Sequence, residues 1–307
     1  MRCARTTEPV RQRRIFRDLV PARWRRWGWL ASALLGVGLL VLVYGLFVEP
    51  RRLVERDHVL QLPHWPKACD GLRVDVVSDI HTGSFGNGTG NLDRVVARLR
   101  ASNADIVLMA GDYVILKVLF GGYVPGRVFA HHVAPLAADK RVYAVLGNHD
   151  WWKDGRQVSA ALTGVGVEMI DNASIPVVHG ECRFYLAGLG DELEGSPDID
   201  MAYGGIPADA PVIALMHEPA TFARIPARTA LSVAGHTHGG QINPFSSPWR
   251  TAEYAPHSHW LRGQVRDGGR LLFVTPGIGT SILPIRIGVT PEISRLTLKR
   301  QPERAAE

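Results

Sequence analysis

The 307-residue chain is long enough for one large domain or two small ones, and its 46% hydrophobic and 21% charged residues are typical of a folded globular protein. Its formal charge of +6 is concentrated at the N-terminus, since residues 1–60 contain 12 arginines and five acids, and residues 61–307 contain 23 basic and 24 acidic residues. A nearly neutral body argues against a nuclease or another nucleic-acid-binding protein, which normally carries positive charge on its binding domain.

An uncharged run of 21 residues, Gly28 to Val48, follows a basic arm at residues 1–27. As a helix, this run would cross a hydrocarbon core of roughly 30 Å, and Trp27 and Tyr44 suit the two interfaces. We predict a single transmembrane helix over 28–48. Nine arginines in the arm favour a cytoplasmic N-terminus and an extracytoplasmic body, although three arginines beyond the run oppose this orientation.

A cleaved signal peptide is the main alternative for this region, because basic residues precede an apolar core. The run is too long for that, and Phe47-Val48-Glu49-Pro50 offers no small-residue cleavage site. Arg13-Arg14 resembles a twin-arginine signal only weakly, since it lies far from the apolar run. Three cysteines, Cys3, Cys69 and Cys182, have no paired metal spacing, and whether Cys69 and Cys182 form a disulfide stays open.

Short apolar runs separated by helical patterns predict one α/β domain over 69–300, after a linker at 49–68 that leads to an edge strand and before a tail at 301–307. Helices are predicted from Asn91 and near 128–138 and 155–162. Further strands are predicted at 182–186, 271–274 and 293–298. Five other strands precede polar motifs, and they are Leu72–Val77, Ile106–Ala110, Val142–Leu146, Val212–Met216 and Ala230–Ala234.

Two segments between these elements allow more than one interpretation. The glycine-rich stretch Gly83 to Gly90 is not followed by Lys-Ser or Lys-Thr, which argues against a phosphate-binding P-loop. Tyr113 to Val124 is unusually apolar for a loop after a strand. It could pack in the core, or it could form an apolar lip that holds acyl chains or touches a bilayer.

Polar side chains follow the carboxyl ends of all five strands, where ligands bind in open α/β sheets. Carboxylates and imidazoles together suit Mn²⁺, Fe or Zn²⁺, and the absence of thiolates argues against a cysteine-type zinc site. Seven candidate ligands are enough for two ions with one shared carboxylate. The ligands are Asp79, His81, Asp112, Asn148, His217, His236 and His238, and His149 and Asp150 lie beside them.

These motifs, in this order, resemble those of the calcineurin-like metallophosphoesterases over most of residues 70–300. The matching motifs are Asp79-x-His81, Gly111-Asp112, Gly147-Asn148-His149-Asp150, His217 and Gly235-His236-x-His238. The resemblance implies a two-sheet αββα sandwich with a dinuclear metal centre. It also implies direct hydrolysis of a phosphate bond by hydroxide that the two metals activate.

The resemblance further implies a role for each residue. Asp79, His81 and His238 would hold one metal, Asn148, His217 and His236 the other, and Asp112 would bridge them. His149 would protonate the leaving oxygen or stabilise the transition state, and Asp150 would orient His149. Unlike many family members, the chain has no acidic residue three positions after Asp112.

Later motifs are similar to a membrane-anchored branch of the family that includes lipid-directed phosphoesterases. They are Gly239-Gly240-Gln241-Ile242, residues 275–280 and Leu283-Pro284-Ile285-Arg286. With the predicted membrane helix and Trp151-Trp152, they favour a phosphorylated lipid or lipid precursor as substrate. Arg250 and Arg286 are candidates for phosphate contact or for surface charge.

Two other functions remain as alternatives at this point. One is a phosphodiesterase that acts on soluble nucleotides, and the other is a catalytically silent, membrane-tethered binding module. Silent relatives would be expected to lose metal ligands, and every ligand is present here. The identity of the metals, the choice among monoester, diester and pyrophosphate bonds, and the oligomeric state stay open.

Overall fold

The computed structural model describes residues 22–116, 118–245 and 260–302, and the chain divides into two compact units after Tyr44. In the first unit, helix α1 spans Ala22–Val43 and exposes its apolar side chains. In the described chain, one helical stretch, Arg23–Arg51, is long and apolar enough to cross a membrane. This stretch includes the residues of the predicted transmembrane helix.

A π-helical turn spans Tyr44–Val48. Tyr44 is the last residue of the first unit, and the second unit begins at the next residue of the turn. In the residues that the structure describes, the strands of the second unit form two six-stranded sheets, as the αββα prediction requires. The first sheet contains, in spatial order, β1 (Val54–Leu62), β12 (Glu292–Arg300), β2 (Leu72–Val77), β3 (Ile106–Ala110), β4 (Val142–Val145) and β5 (Glu168–Met169). The second contains β10 (Gly263–Asp267), β11 (Arg270–Val274), β9 (Leu231–Ala234), β8 (Val212–Leu215), β7 (Cys182–Gly188) and β6 (Ala173–His179).

Helices cover the outer faces of both sheets. Helices α2 (Thr89–Ala101), α3 (Gly126–Asp139) and α4 (Asn148–Thr163) share one apolar cluster with the first sheet, and α5 (Ile199–Tyr203) shares another with the second sheet. A third cluster, with side chains from both sheets, fills the space between them. The predicted αββα sandwich is therefore confirmed.

Parallel pairing brings the motif-bearing strand ends together. Strands β2, β3 and β4 pair in parallel in the first sheet, and β7, β8 and β9 do so in the second. Their carboxyl ends therefore lie side by side at one edge of each sheet. The two sheets also approach each other closely at this edge, because a Cβ atom at Gly235, which follows β9, would collide with the side chain of Ser78, which follows β2.

Several predicted boundaries change in the structure. Residues 49–68, expected to be a linker leading to an edge strand, contain β1, which pairs with β12 over nine residues. Helix α4 begins at Asn148 rather than near residue 155, and it is interrupted by extended backbone at Asp154. Strands β5, β6 and β10 were not predicted. They are short or mostly exposed, so their sequences lack a regular apolar pattern.

Two features left open by the sequence are visible in the fold. Cys69 and Cys182 are buried and form a disulfide. The apolar segment Tyr113 to Val124 is divided between the two interpretations. Its first three residues and Val118 are buried, whereas 74% of Phe120 is exposed.

Candidate metal centre

The seven predicted metal ligands come together at the aligned strand ends. Asp79 and His81 follow β2, Asp112 follows β3, and Asn148 begins α4 after β4. The second sheet supplies three histidines after β8 and β9, namely His217, His236 and His238. All seven are buried except His236, whose side chain is 25% exposed.

One cluster is formed by Asp79, His81 and His238. The Nε2 atoms of the two histidines are 3.1 Å apart, and His238 Nε2 lies 3.4 Å from Asp79 Oδ1. The two imidazole rings stack with 4.9 Å between centroids. Three donor atoms therefore surround one small volume.

A second cluster is formed by Asn148, His217 and His236. His217 Nε2 is 3.2 Å from both Asn148 Oδ1 and His236 Nδ1. Asp112 Oδ2 lies between the clusters, 3.4 Å from His81 Nε2 and 3.3 Å from His217 Nε2. Asp112 is thus the one carboxylate that reaches both groups of ligands among the seven.

These donors fit two divalent metal ions. Two ligands on one ion at about 2.0–2.1 Å lie about 3 Å apart, which is the separation seen between the donor atoms of each cluster. Asp79 Oδ1 is buried and has no hydrogen-bond partner in the described structure. A buried oxygen of this kind is costly unless it is paired or bound to a cation. Carboxylate, amide and imidazole donors suit Mn²⁺, Fe or Zn²⁺.

The electrostatics of three of the four ligand histidines also favour metal binding, because neutral imidazole is the form that binds metals. Burial lowers the pKa of His81 to about 3 and that of His236 to about 3. Burial also places the pKa of His238 well below its ordinary value. Burial opposes the charge on His217, but the nearby Asp112 carboxylate raises the pKa of His217 well above the ordinary value.

The ligands stand on strained backbone. Five of the seven have a left-handed φ, which non-glycine residues adopt rarely and at a cost of about 1–3 kcal/mol each. Backbone hydrogen bonds across the strand ends hold this conformation, for example from Asp79 N–H to Gly111 O at 2.9 Å. The five residues are Asp79, His81, Asp112, His236 and His238.

Gly147 permits the close approach of three motifs. A Cβ atom at this position would lie 2.7 Å from the Asp112 backbone nitrogen and 2.8 Å from His217 Cε1. Such contacts are shorter than packed side chains allow. A larger residue at 147 would therefore push apart the shared carboxylate and a ligand of the second cluster.

Asp150 has a different contact from the one expected. Its two carboxylate oxygens accept hydrogen bonds at 2.9–3.2 Å from four backbone N–H groups, those of Asp112, Tyr113, Val114 and Gly147. No hydrogen bond joins Asp150 to the His149 ring in the described structure. Burial and the Asp112 charge raise the pKa of Asp150 to about 8. The predicted orientation of His149 by Asp150 is therefore corrected, since Asp150 fixes the backbone that carries Asp112.

His149 lies at the open side of the two clusters. Its backbone N–H donates to Asp112 Oδ1 at 2.9 Å, and its Nε2 lies 3.4 Å from Ser281 Oγ. The exposed Trp152 packs on its ring, with 4.8 Å between centroids. Burial lowers the pKa of His149, and the neutral ring still carries one N–H that can donate to a substrate oxygen.

Two charged residues support the ligands, and neither was predicted to do so. Glu218 is buried, and its Oε1 lies 3.4 Å from His236 Nε2, the ring nitrogen on the far side from the second cluster. Arg286 is fully buried and donates to the carbonyl oxygens of Gly279 and Pro276, and its Nη2 lies 3.3 Å from His238 Nδ1. Arg286 is therefore neither a surface charge nor an exposed phosphate ligand.

The only sequence signal for Glu218 was its place directly after His217. Arg286 is distant in sequence from His238, so only the fold shows their contact. Burial lowers the pKa of Arg286 to about 10. The other predicted phosphate contact, Arg250, lies outside the described residues.

The glycine-rich stretch after His81 supports the metal centre. Asn87 is buried, and its side-chain amide donates to the carbonyl oxygens of Ile80 at 2.5 Å and His81 at 3.2 Å. A Cβ atom at Gly83 would collide with the Gly122 carbonyl oxygen. This stretch thus fixes the His81 backbone and packs against the apolar segment that follows β3.

A cavity of about 570 Å³ adjoins the metal centre. Its walls combine two proposed ligands with apolar side chains and a few polar groups. The lining residues are His236, Thr237, His238, Gly240, Gln241, Ile242, Leu261, Ser281, Ile282 and Leu283.

Comparisons of the sequence with a family model and with known proteins agree on one family. Residues 72–240 match the model of the calcineurin-like phosphoesterase family. The chain is 27% identical to the uncharacterized metallophosphoesterase YkuE of Bacillus subtilis, over 83% of this chain and 89% of that protein. It is 28% identical to a transmembrane protein with metallophosphoesterase domain of Danio rerio, over 84% of this chain and 60% of that protein.

It is also 28% identical to the phosphodiesterase YaeI of Escherichia coli, over 63% of this chain and 70% of that protein. The matched region contains the strand ends that carry all seven ligands. Together with the αββα fold and the two clusters that share Asp112, these similarities show that the chain belongs to the calcineurin-like phosphoesterase family of dinuclear metal-dependent hydrolases.

Proposed function

We propose that this protein is a membrane-anchored hydrolase that cleaves a phosphoester or pyrophosphate bond in a phosphorylated membrane lipid or lipid precursor. The observation that carries the proposal is the pair of ligand clusters joined by Asp112 beside a cavity with apolar walls. With their metal ions, the clusters would bind the phosphate group. The apolar walls would contact a hydrophobic part of the substrate.

In this proposal Asp79, His81 and His238 hold one ion, Asn148, His217 and His236 hold the other, and Asp112 contacts both. When bound, two divalent ions lower the pKa of water and neutralise charge on phosphoryl oxygens. We propose Mn²⁺, Fe or Zn²⁺ as the ions because of the mixed oxygen and nitrogen donors.

The chain's own groups then orient and stabilise the reacting phosphate. His149 donates a hydrogen bond or a proton to the leaving oxygen from the open side of the site. Its position is fixed by the bond from its backbone to Asp112 and by packing against Trp152. Glu218 and Arg286 hold the rings of His236 and His238 from behind.

The choice of a diester over a monoester is supported by one relative, which is named a phosphodiesterase. Soluble nucleotides are the second candidate substrate class, because the cavity is also large enough for a nucleoside. A silent binding module is disfavoured, since the structure brings all seven ligands together.

We further propose that α1 spans the membrane with its N-terminus in the cytoplasm, so that the catalytic unit lies outside. The basic arm supports this orientation. The Cys69–Cys182 disulfide also supports it, because disulfides persist mainly outside the cytoplasm.

The proposal is tested with the purified full-length protein in detergent. We expect it to hydrolyse bis(p-nitrophenyl) phosphate with added Mn²⁺ and to lose this activity with a chelator. A screen of phosphorylated lipids against soluble nucleotides, at equal concentrations, then identifies the substrate class. Hydrolysis that persists after complete metal removal contradicts the mechanism, and a uniform preference for nucleotides contradicts the lipid assignment.

A further inference from the structure

Exposed apolar side chains lie beside the cavity of the metal centre. Phe120 is 74% exposed and Ile282 is 77% exposed, and their neighbours Leu119 and Leu283 are also exposed. Isolated exposed apolar residues are ordinary, but a continuous group is not. We call this group, with Phe47 and Phe85, the apolar ridge.

Direct contacts make the ridge continuous. The rings of Phe47 and Phe85 are 5.7 Å apart, and those of Phe85 and Phe120 are 6.0 Å apart. The Leu119 N–H donates to the Ile282 carbonyl oxygen at 3.4 Å, which joins the segment after β3 to the loop after β11. The ridge therefore combines side chains from four separate parts of the second unit.

Two of these side chains are carried by strained backbone. Phe120 has a φ of 59° and Ile282 a φ of 61°, in the left-handed region. Bulky and β-branched residues are outliers there, and glycine or asparagine would adopt the conformation more easily. Strain that exposes an apolar side chain to water has no benefit for folding and indicates a function.

Cations accompany the aromatic residues of this surface. The Arg51 guanidinium lies 5.6 Å from the Phe85 ring centroid and 5.8 Å from that of Phe47. The Lys153 ammonium lies 4.0 Å from the ring centroid of Tyr123, which is 37% exposed. Aromatic rings with neighbouring Lys and Arg are typical of the headgroup level of a membrane, where anionic lipids attract the cations.

Chain connectivity indicates which surface covers the ridge. Gly45, which follows the apolar helix, accepts a hydrogen bond from the Arg286 N–H at 3.0 Å, and Glu49 accepts one from the Gly288 N–H at 2.9 Å. The first residues after the helix are therefore fixed to the loop that carries Ile282. If the helix lies in a bilayer, this loop is held close to the bilayer surface.

We propose that the apolar ridge inserts into the headgroup region of the bilayer that anchors the protein, so that the cavity beside the metals opens at the membrane surface. The inference rests on the membrane anchoring in the proposed function. Ile282 and Leu283 belong to both the ridge and the cavity wall, and Ser281 beside them reaches His149. A lipid phosphate could thus reach the metals from the membrane with its chains still in the bilayer.

Site-directed spin labelling tests the contact with lipid. Full-length protein with Cys3→Ser is reconstituted in nanodiscs of phosphatidylethanolamine and phosphatidylglycerol, and a nitroxide is attached to Phe120→Cys or, on less strained backbone, to Leu119→Cys. The matched control is Met201→Cys, which is 66% exposed on α5. Cys69 and Cys182 are joined and do not react.

We expect labels at 119 and 120 to collide more with oxygen, which concentrates in lipid, than with a water-soluble nickel chelate. The label at 201 should collide more with the nickel chelate than with oxygen. Equal behaviour at 119, 120 and 201 overturns the proposal. Dipolar coupling between labels on two chains, with exclusion of both collision partners, also overturns it by showing that a second copy covers the ridge.

This readout needs neither bound metal nor catalysis. Lipid contact at 119 and 120 without phosphoester hydrolysis would contradict the proposed function and leave the ridge assignment standing. Hydrolysis of phosphorylated lipids without lipid contact at these labels would contradict the ridge assignment and leave the proposed function standing.

Discussion

At the residue scale, Asp112 is central because it is the carboxylate that contacts both ligand clusters. We expect Asp112→Ala to reduce bound metal from about two ions per chain to less than about one, since a shared ligand supports both ions. Asn148→Ala should remove mainly the ion of the second cluster. Elemental analysis of dialysed protein measures both variants, and full occupancy in Asp112→Ala would contradict the bridging role.

His149 permits a test that separates chemistry from metal binding. His149→Ala should keep both metals but lose on the order of 10²-fold or more in kcat, within the usual range for acid catalysis. Metal content and kcat on bis(p-nitrophenyl) phosphate are measured on the same preparation. Unchanged kcat would remove the role proposed for this residue.

Glu218 should act on the metal through His236. Partners of this kind typically contribute about 10- to 100-fold to metal affinity by fixing the ring and its tautomer. We expect Glu218→Ala to weaken the more loosely bound ion by such a factor in a competition titration with a chelating dye. Glu192→Ala is the control, because its carboxylate pairs with Arg224 rather than with a ligand histidine. Equal affinities in the two variants would show that Glu218 has only a structural role.

At the element scale, the start of α4 and the loop after β3 depend on one carboxylate. Asp150 accepts four backbone hydrogen bonds, and each buried N–H left unpaired costs about 1–3 kcal/mol. We expect Asp150→Ala to lower the free energy of unfolding of the metal-free protein by about 3 kcal/mol or more. Asp139→Ala, which removes only an exposed pair with Arg100, should cost less than about 1 kcal/mol. A similarly small decrease in the free energy of unfolding in both variants would contradict the supporting role of Asp150.

The secondary-structure elements differ in how well the sequence predicts them. Strands β3, β4, β8 and β9 are buried along their whole length and β2 is buried except at Arg73, so they form clear apolar runs. The motifs at their ends indicated all seven ligands. Strands β5, β6 and β10 lie at or near sheet edges and carry few buried residues. The contacts of Asp150 with the loop after β3 and of Arg286 with His238 were not predictable, because they join residues far apart in sequence.

At the scale of the whole molecule, the proposed orientation of the protein in the membrane can be measured directly. We expect a reporter active only outside the cytoplasm to be active when fused to Glu307, because the basic arm favours a cytoplasmic N-terminus. Without reductant, Cys69 and Cys182 should resist alkylation, because they are joined in a disulfide. Activity of a strictly cytoplasmic reporter at Glu307 would reverse the proposed orientation.

The hydrogen bonds of Gly45 and Glu49 have a consequence for release of the enzyme from its anchor. Both residues hold the loop that carries Arg286, and Arg286 in turn contacts His238. A protease that cut before Gly45 would leave this chain of contacts complete and free an intact enzyme. A cut between Arg51 and Arg52 would remove Glu49, which is buried against the Gly288 N–H, and would loosen the support of a metal ligand. The border between a shed active form and an inactivated one therefore lies within a few residues of the end of the apolar helix.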